Sequence, residues 1–225
     1  MIKKLASAIY NDIYSGLIGI TSNPTLSMDQ LEDEVVEEWL QVIKEYSLKN
    51  ILPLKDLLIS INCIDVDCLA LDKCPICSES NPYSIPEYHF QIPQTINDLA
   101  EEAIFYIGAT DKSLKYKIYT NPQSLKYHKY NRRGSNKPYV YIDTTPNENN
   151  MYDGWVFNSP LIQRISFIGI IKDLRQLDNY ECCSPETLEN LTFIVTELKK
   201  RLIEKKIRYY RQLYIGSQPN NQVAK

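Results

Sequence analysis

AIFYIGATD (103–111), LKYKIYT (114–120), KPYVYIDTTPN (137–147), DGWVFNSP (153–160) and RISFIGIIKDLRQL (164–177) follow one another through the middle of this chain. Each is a short aromatic and β-branched run, and Gly, Asn, Pro and Asp separate them. Branched and ring side chains fill a pleated surface while the separators turn the backbone, so the stretch reads as a compact antiparallel sheet. The run 165–171 is apolar on both faces, which places it centrally. Leu114, Tyr116 and Ile118 alternate with Lys115 and Lys117, giving a strand with one wet face. Nothing in these runs has the form of catalytic machinery. They describe a protein that builds surface.

Helices flank the sheet. Ile2, Leu5, Ile9, Ile13 and Leu17 recur at three- and four-residue spacing, one face of an amphipathic helix and not a signal peptide. Ser27 caps a second helix, with Gln30 placed for a capping box. Met28, Leu31, Val35, Trp39, Val42 and Tyr46 line its inner face, and Asp29, Glu32, Asp33, Glu34, Glu37 and Glu38 its outer one. Residues 87–92 alternate as a strand, and Thr95 caps a predicted helix to about Ile107, closed by Gly108. Residues 131–137 and 147–154 read as polar loops.

Ser184-Pro185-Glu186 opens the last helix: cap, first-turn proline, acid near the positive end. Leu188, Leu191, Val195, Leu198 and Leu202 keep a heptad-like rhythm, which Ile203, Ile207, Tyr210 and Tyr214 continue after a shift. At 1.5 Å per residue that is a rod of roughly 45 Å. The expected architecture is one α+β domain over 1–215. It has a helical part (1–60), a cysteine-containing segment (61–86), a small antiparallel sheet and a long C-terminal helix, and a flexible tail follows over 216–225.

Composition narrows the function. No stretch approaches the roughly 18 apolar residues that a membrane helix needs, so no membrane partner is expected and synthesis is expected in a cytoplasm. Seven glycines leave little for phosphate-cradling loops, whereas seventeen tyrosines suit both strands and interfaces. No P-loop, dinucleotide fingerprint or HExxH is present, and His89 and His128 sit in no triad. The chain is therefore expected not to be an enzyme, with no catalytic residues.

Two clusters stand out. Cys63, Cys68, Cys74 and Cys77 fall within fifteen residues, and Cys74-Pro75-Ile76-Cys77 has the form of a zinc knuckle. The other pair has the wrong spacing, so these cysteines are either a structural zinc site or reduced thiols packed as small hydrophobes, and no cofactor is the leading expectation. Residues 112–137 carry eight Lys and Arg and no acid. Tyrosines lie among Lys115, Lys117, Arg132 and Arg133, which admits nucleic-acid contact, lysine-guarded strand edges, or a subunit contact with the acidic helix.

From 95 to 215 the chain resembles the ring, or adaptor, proteins of podovirus-type and crAss-like phage tails. The residues that carry this are the N-terminal helices, EEAIFYIGATD (101–111), KPYVYIDTTP (137–146), NMYDGWVFNSP (150–160) and FIGIIKDLRQL (167–177). The CPIC pair is outside that pattern. The resemblance implies a virion protein of the neck or tail, a homo-oligomeric ring, expected to be a dodecamer, joining the portal to other tail proteins around the channel that DNA traverses. Partner docking is then expected at Tyr209, Tyr210, Arg211, Tyr214 and Gln218.

Overall fold

A computed structural model describes residues 2–17, 27–49, 57–68, 88–96, 103–128, 137–159, 162–180 and 185–217. The fold is α+β, with four α-helices among the described residues, one of them a long C-terminal one, and antiparallel sheets. Contacts divide the chain into two compact units, residues 1–56 with 191–225 and residues 57–190, where a single domain over 1–215 was expected.

In the first unit, α1 (Ile2–Leu17) and α2 (Met28–Lys49) pack with the body of α4 (Pro185–Ser217). Ala6, Ile9 and Ile13 of α1, Leu31, Val35, Trp39, Val42 and Ile43 of α2, and Leu198 and Leu202 of α4 are all buried, forming the apolar seam that the helical spacing predicts. Charge sets the pairing of α2 with α4. Arg201 Nη1 lies 3.0 Å from Glu45 Oε2, Lys205 Nζ 3.5 Å from Glu38 Oε2, and Lys206 Nζ 2.5 Å from Glu34 Oε1. Residue numbers rise along α4 as they fall along α2, so the two helices run antiparallel. Arg201 also takes Glu197 at 2.8 Å, and that bond holds its guanidinium pKa above the ordinary value. Two acids of the six-residue block, Glu34 and Glu38, thus face α4.

In the second unit, β1 (Ile59–Asp65), β8 (Arg164–Gly169) and β4 (Ile104–Ala109) form an antiparallel sheet in the order β1-β8-β4. The doubly apolar β8 is central, as its sequence predicts. A second sheet has the order β2-β3-β7-β6-β5, from β2 (Asp67–Cys68), β3 (Tyr88–Pro93), β7 (Met151–Phe157), β6 (Tyr139–Ile142) and β5 (Lys117–Tyr119). Its β5–β6 pair is parallel.

Register explains the aromatics. Tyr139 faces Phe157 and Tyr141 faces Trp155, and the rings stack at 4.8 and 5.7 Å over Leu125 of α3 (Pro122–His128). Phe90 lies opposite Gly154, and a Cβ there would meet its ring at 2.3 Å.

Two expectations are corrected. Residues 104–109 are strand, not helix: Ile104, Phe105, Tyr106 and Ile107 are branched or aromatic, and pairing with β8 outweighs their helix-like spacing. Gly108 is no helix cap; it lies 2.1 Å, as a virtual Cβ, from the Leu114 carbonyl where β4 meets Lys115. The loop expected over 147–154 ends at Asn150, because Met151 already pairs with Pro93.

Candidate functional site

Two surfaces hold chemistry in the described residues. The first is a cleft of about 970 Å³ in the second unit, bordered by Asp65, Asp67, His89, Gln91, Arg164 and Tyr180. Beside it, one oxygen of Asp153 accepts from His89 Nε2 at 3.0 Å, Gln91 Nε2 at 3.0 Å and Asn147 Nδ2 at 3.2 Å. Asn147 in turn accepts from the Asn149 and Met151 amides at 3.0 Å each, which closes the β6–β7 turn. A carboxylate so occupied by donors fixes the turn. His89, which the sequence places in no triad, is a partly buried partner of this carboxylate and rests 5.6 Å from the Trp155 ring.

Around the cleft the backbone is braced by side chains. The Tyr180 hydroxyl donates to the Gln91 carbonyl at 3.0 Å. Gln176 accepts from the Gln94 amide at 2.8 Å and donates to the Asn150 carbonyl at 2.5 Å. At the rim, Arg164 and Asp65 pair at 2.8 Å with both side chains more than half exposed, a contact worth little in water. Sequence reasoning singled out neither Asp153, Gln91 nor Asn147. Their partnership spans 62 and 64 residues for two of its bonds and has no local signature.

The second surface is the distal part of α4. Leu198 and Leu202 are fully buried, Ile203, Ile207 and Tyr210 are half-buried, and Tyr209 and Leu213 are 53% and 52% exposed. The rhythm shift after Leu202 marks the point at which the helix ceases to be covered on that side. Tyr209 and Tyr210 meet edge to face at 5.5 Å, and Arg208 and Arg211 are exposed beside them. Of the expected docking residues, Tyr209, Tyr210 and Arg211 therefore lie together. Tyr214 continues the helix without a described side chain, and Gln218 lies outside the described residues.

The remaining candidates separate. Lys115 and Lys117 are exposed at the β5 edge of the larger sheet, and Lys117 Nζ sits 5.0 Å from the Tyr119 ring centre. Charged residues at an edge oppose strand-to-strand aggregation. The nearby Tyr116 and Tyr139 are buried, so their faces are not open to stacking bases. Arg132 and Arg133 lie outside the described residues, as do Cys74 and Cys77.

Cys63 is disulfide-bonded, whereas Cys68 is free and exposed. A sulfur in that bond is no thiolate, so a four-cysteine zinc site requires the reduced chain. Among the described residues, no group of three or more His, Cys, Asp or Glu could hold a metal, and no helix is long and apolar enough to cross a membrane. Comparison with protein-family models and with curated proteins gives no match for the chain.

Proposed function

We propose that this chain is a non-enzymatic structural subunit of a phage virion, one copy of a ring that joins the portal to the tail and surrounds the DNA channel. The observation that carries this reading is the face of α4 past Leu202. Tyr209 and Leu213 are more than half exposed there, and Arg208 and Arg211 are exposed on the same stretch of helix. Aromatic, leucine and arginine side chains together have the composition of interfaces, and removing such apolar side chains from water is favourable by about 1.5–3 kcal/mol each. The resemblance of 95–215 to tail adaptor proteins supplies the identity of the ring, its expected dodecameric closure and the portal as its neighbour.

The test is binding to the portal and to the adjoining tail proteins. The intact chain is compared with the Tyr209→Ala/Leu213→Ser double variant and with a chain cut after Gly216. Both altered chains are expected to keep the circular dichroism of the intact protein and to lose docking. Unchanged binding by both would contradict this role for α4.

A further inference from the structure

The cleft of the second unit lies where a strand ladder stops short. β3 pairs with β7 along its whole length but with β2 only at Tyr88 and His89. Carried back along the chain, the Asp67–His89 register would set Asp65 opposite Gln91. Among the described residues β1 pairs with β8 alone, and Asp65 and Gln91 border the cleft instead. Hydrogen bonds fix which way each backbone faces. The Asp143 amide donates to the Asp153 carbonyl at 2.8 Å, so Asp153 turns its backbone groups to the β6 side. Its β3 partner Gln91 then turns its own away from β7, toward the cleft. The Val66 amide donates to the Gln163 carbonyl at 3.0 Å, so the preceding Asp65 faces away from β8 by the same alternation. Two strand edges therefore border one opening, and the Tyr180 hydroxyl donates to the Gln91 carbonyl there at 3.0 Å.

We propose that this opening takes an extended, lysine- or arginine-bearing peptide segment of a partner protein, which pairs its backbone with the edges at Gln91 and Asp65. The inference goes beyond the assembly reading above and uses nothing of α4. Open strand edges recruit extended peptides through main-chain hydrogen bonds, and the side chains around them select the sequence. Here they select a cation. Asp65 is matched by Arg164 at 2.8 Å, and Asp153 accepts from His89, Gln91 and Asn147. Asp67 is exposed, and among the described residues no ion pair reaches it. Ile64, Phe90 and Met151 line the same opening, so apolar residues suit the positions between the cations. The basic run of this chain, KYNRRGSN (129–136), supplies charge but holds Asn131, Gly134 and Asn136, residue types depleted in strands, so a partner protein is the source.

Isothermal titration calorimetry tests this on the full chain, with an acetylated and amidated heptapeptide of alternating valine and lysine as the probe. Saturable binding is expected. The same peptide N-methylated at alternate residues is expected to lose it, because its main chain can no longer pair. A valine–glutamate peptide should bind roughly tenfold more weakly or worse, and Asp67→Lys should weaken the valine–lysine peptide by about three- to tenfold. Bound peptide should also slow hydrogen exchange at the Gln91 amide. No binding at millimolar peptide overturns the proposal. So does equal binding of the N-methylated or glutamate peptide, or exchange at Gln91 that the peptide leaves unchanged. Self-association of the chain that Asp67→Lys weakens would give the cleft to a second copy and overturn the partner assignment. None of these results touches the virion role, which the copy number in particles decides.

Discussion

Lys206 Nζ on α4 and Glu34 Oε1 on α2 meet at 2.5 Å, with side chains only 18% and 28% exposed. The other Glu34 oxygen is buried without a hydrogen-bond partner, so this one contact must offset the desolvation of the carboxylate. Lys206→Met is expected to destabilise the protein by about 1–3 kcal/mol, because it strands a half-buried charge. Replacing both partners, Lys206→Met with Glu34→Leu, should recover most of that loss. Urea unfolding of the three chains measures it, and a double variant as weak as the single one would contradict it.

Leu202 and Leu213 are the same residue type three turns apart on α4, and their surroundings differ completely. Leu202 is fully buried, so Leu202→Ala should cost about 2–5 kcal/mol through lost contacts and the cavity left behind. Leu213→Ala should change stability by less than about 0.5 kcal/mol and weaken docking instead. Thermal unfolding and portal binding, measured on both, separate the two roles.

Asp153→Ala removes the acceptor of His89, Gln91 and Asn147 at once. A loss of about 2–3 kcal/mol is expected from the charged hydrogen bonds involved. Hydrogen exchange should quicken at the amides of Asn149 and Met151, whose turn the Asn147 side chain holds. Protection unchanged at those amides would contradict the staple.

Burial raises the Tyr152 hydroxyl pKa above its ordinary value, and burial followed by the Asp143 charge does the same at Tyr141. The native state then holds these protons more tightly than the unfolded chain. Their contribution is complete below about pH 10 and is lost as pH rises through the folded values. Stability should fall in that alkaline range, and Tyr152→Phe should flatten the fall, since it removes one of the two hydroxyls whose pKa burial raises. Unfolding midpoints from pH 8 to 11 read this out.

Where one residue pattern dominates, the sequence reads well. The 3.6-residue rhythm of Ile9, Ile13, Leu31, Val35 and Trp39, the two-sided apolar run of β8 and the alternation of β3 all place their elements. Residues 103–108 misled because Ala103, Ile104 and Ile107 also suit a helix face, and only pairing with β8, sixty residues away, decides between the two. Asp153 was illegible for the same reason: its role lies in distant partners. The acidic and basic blocks were legible as segregated charge, but not that α2 and α4 would neutralise part of it between them.

The central claim is that this chain is a ring subunit of a virion, and its copy number in purified particles tests that most directly. Quantitative mass spectrometry against the portal subunit should find about a dozen copies in fixed ratio to the portal, as cyclic closure requires. Absence from the particle, or a trace without fixed stoichiometry, would contradict the account.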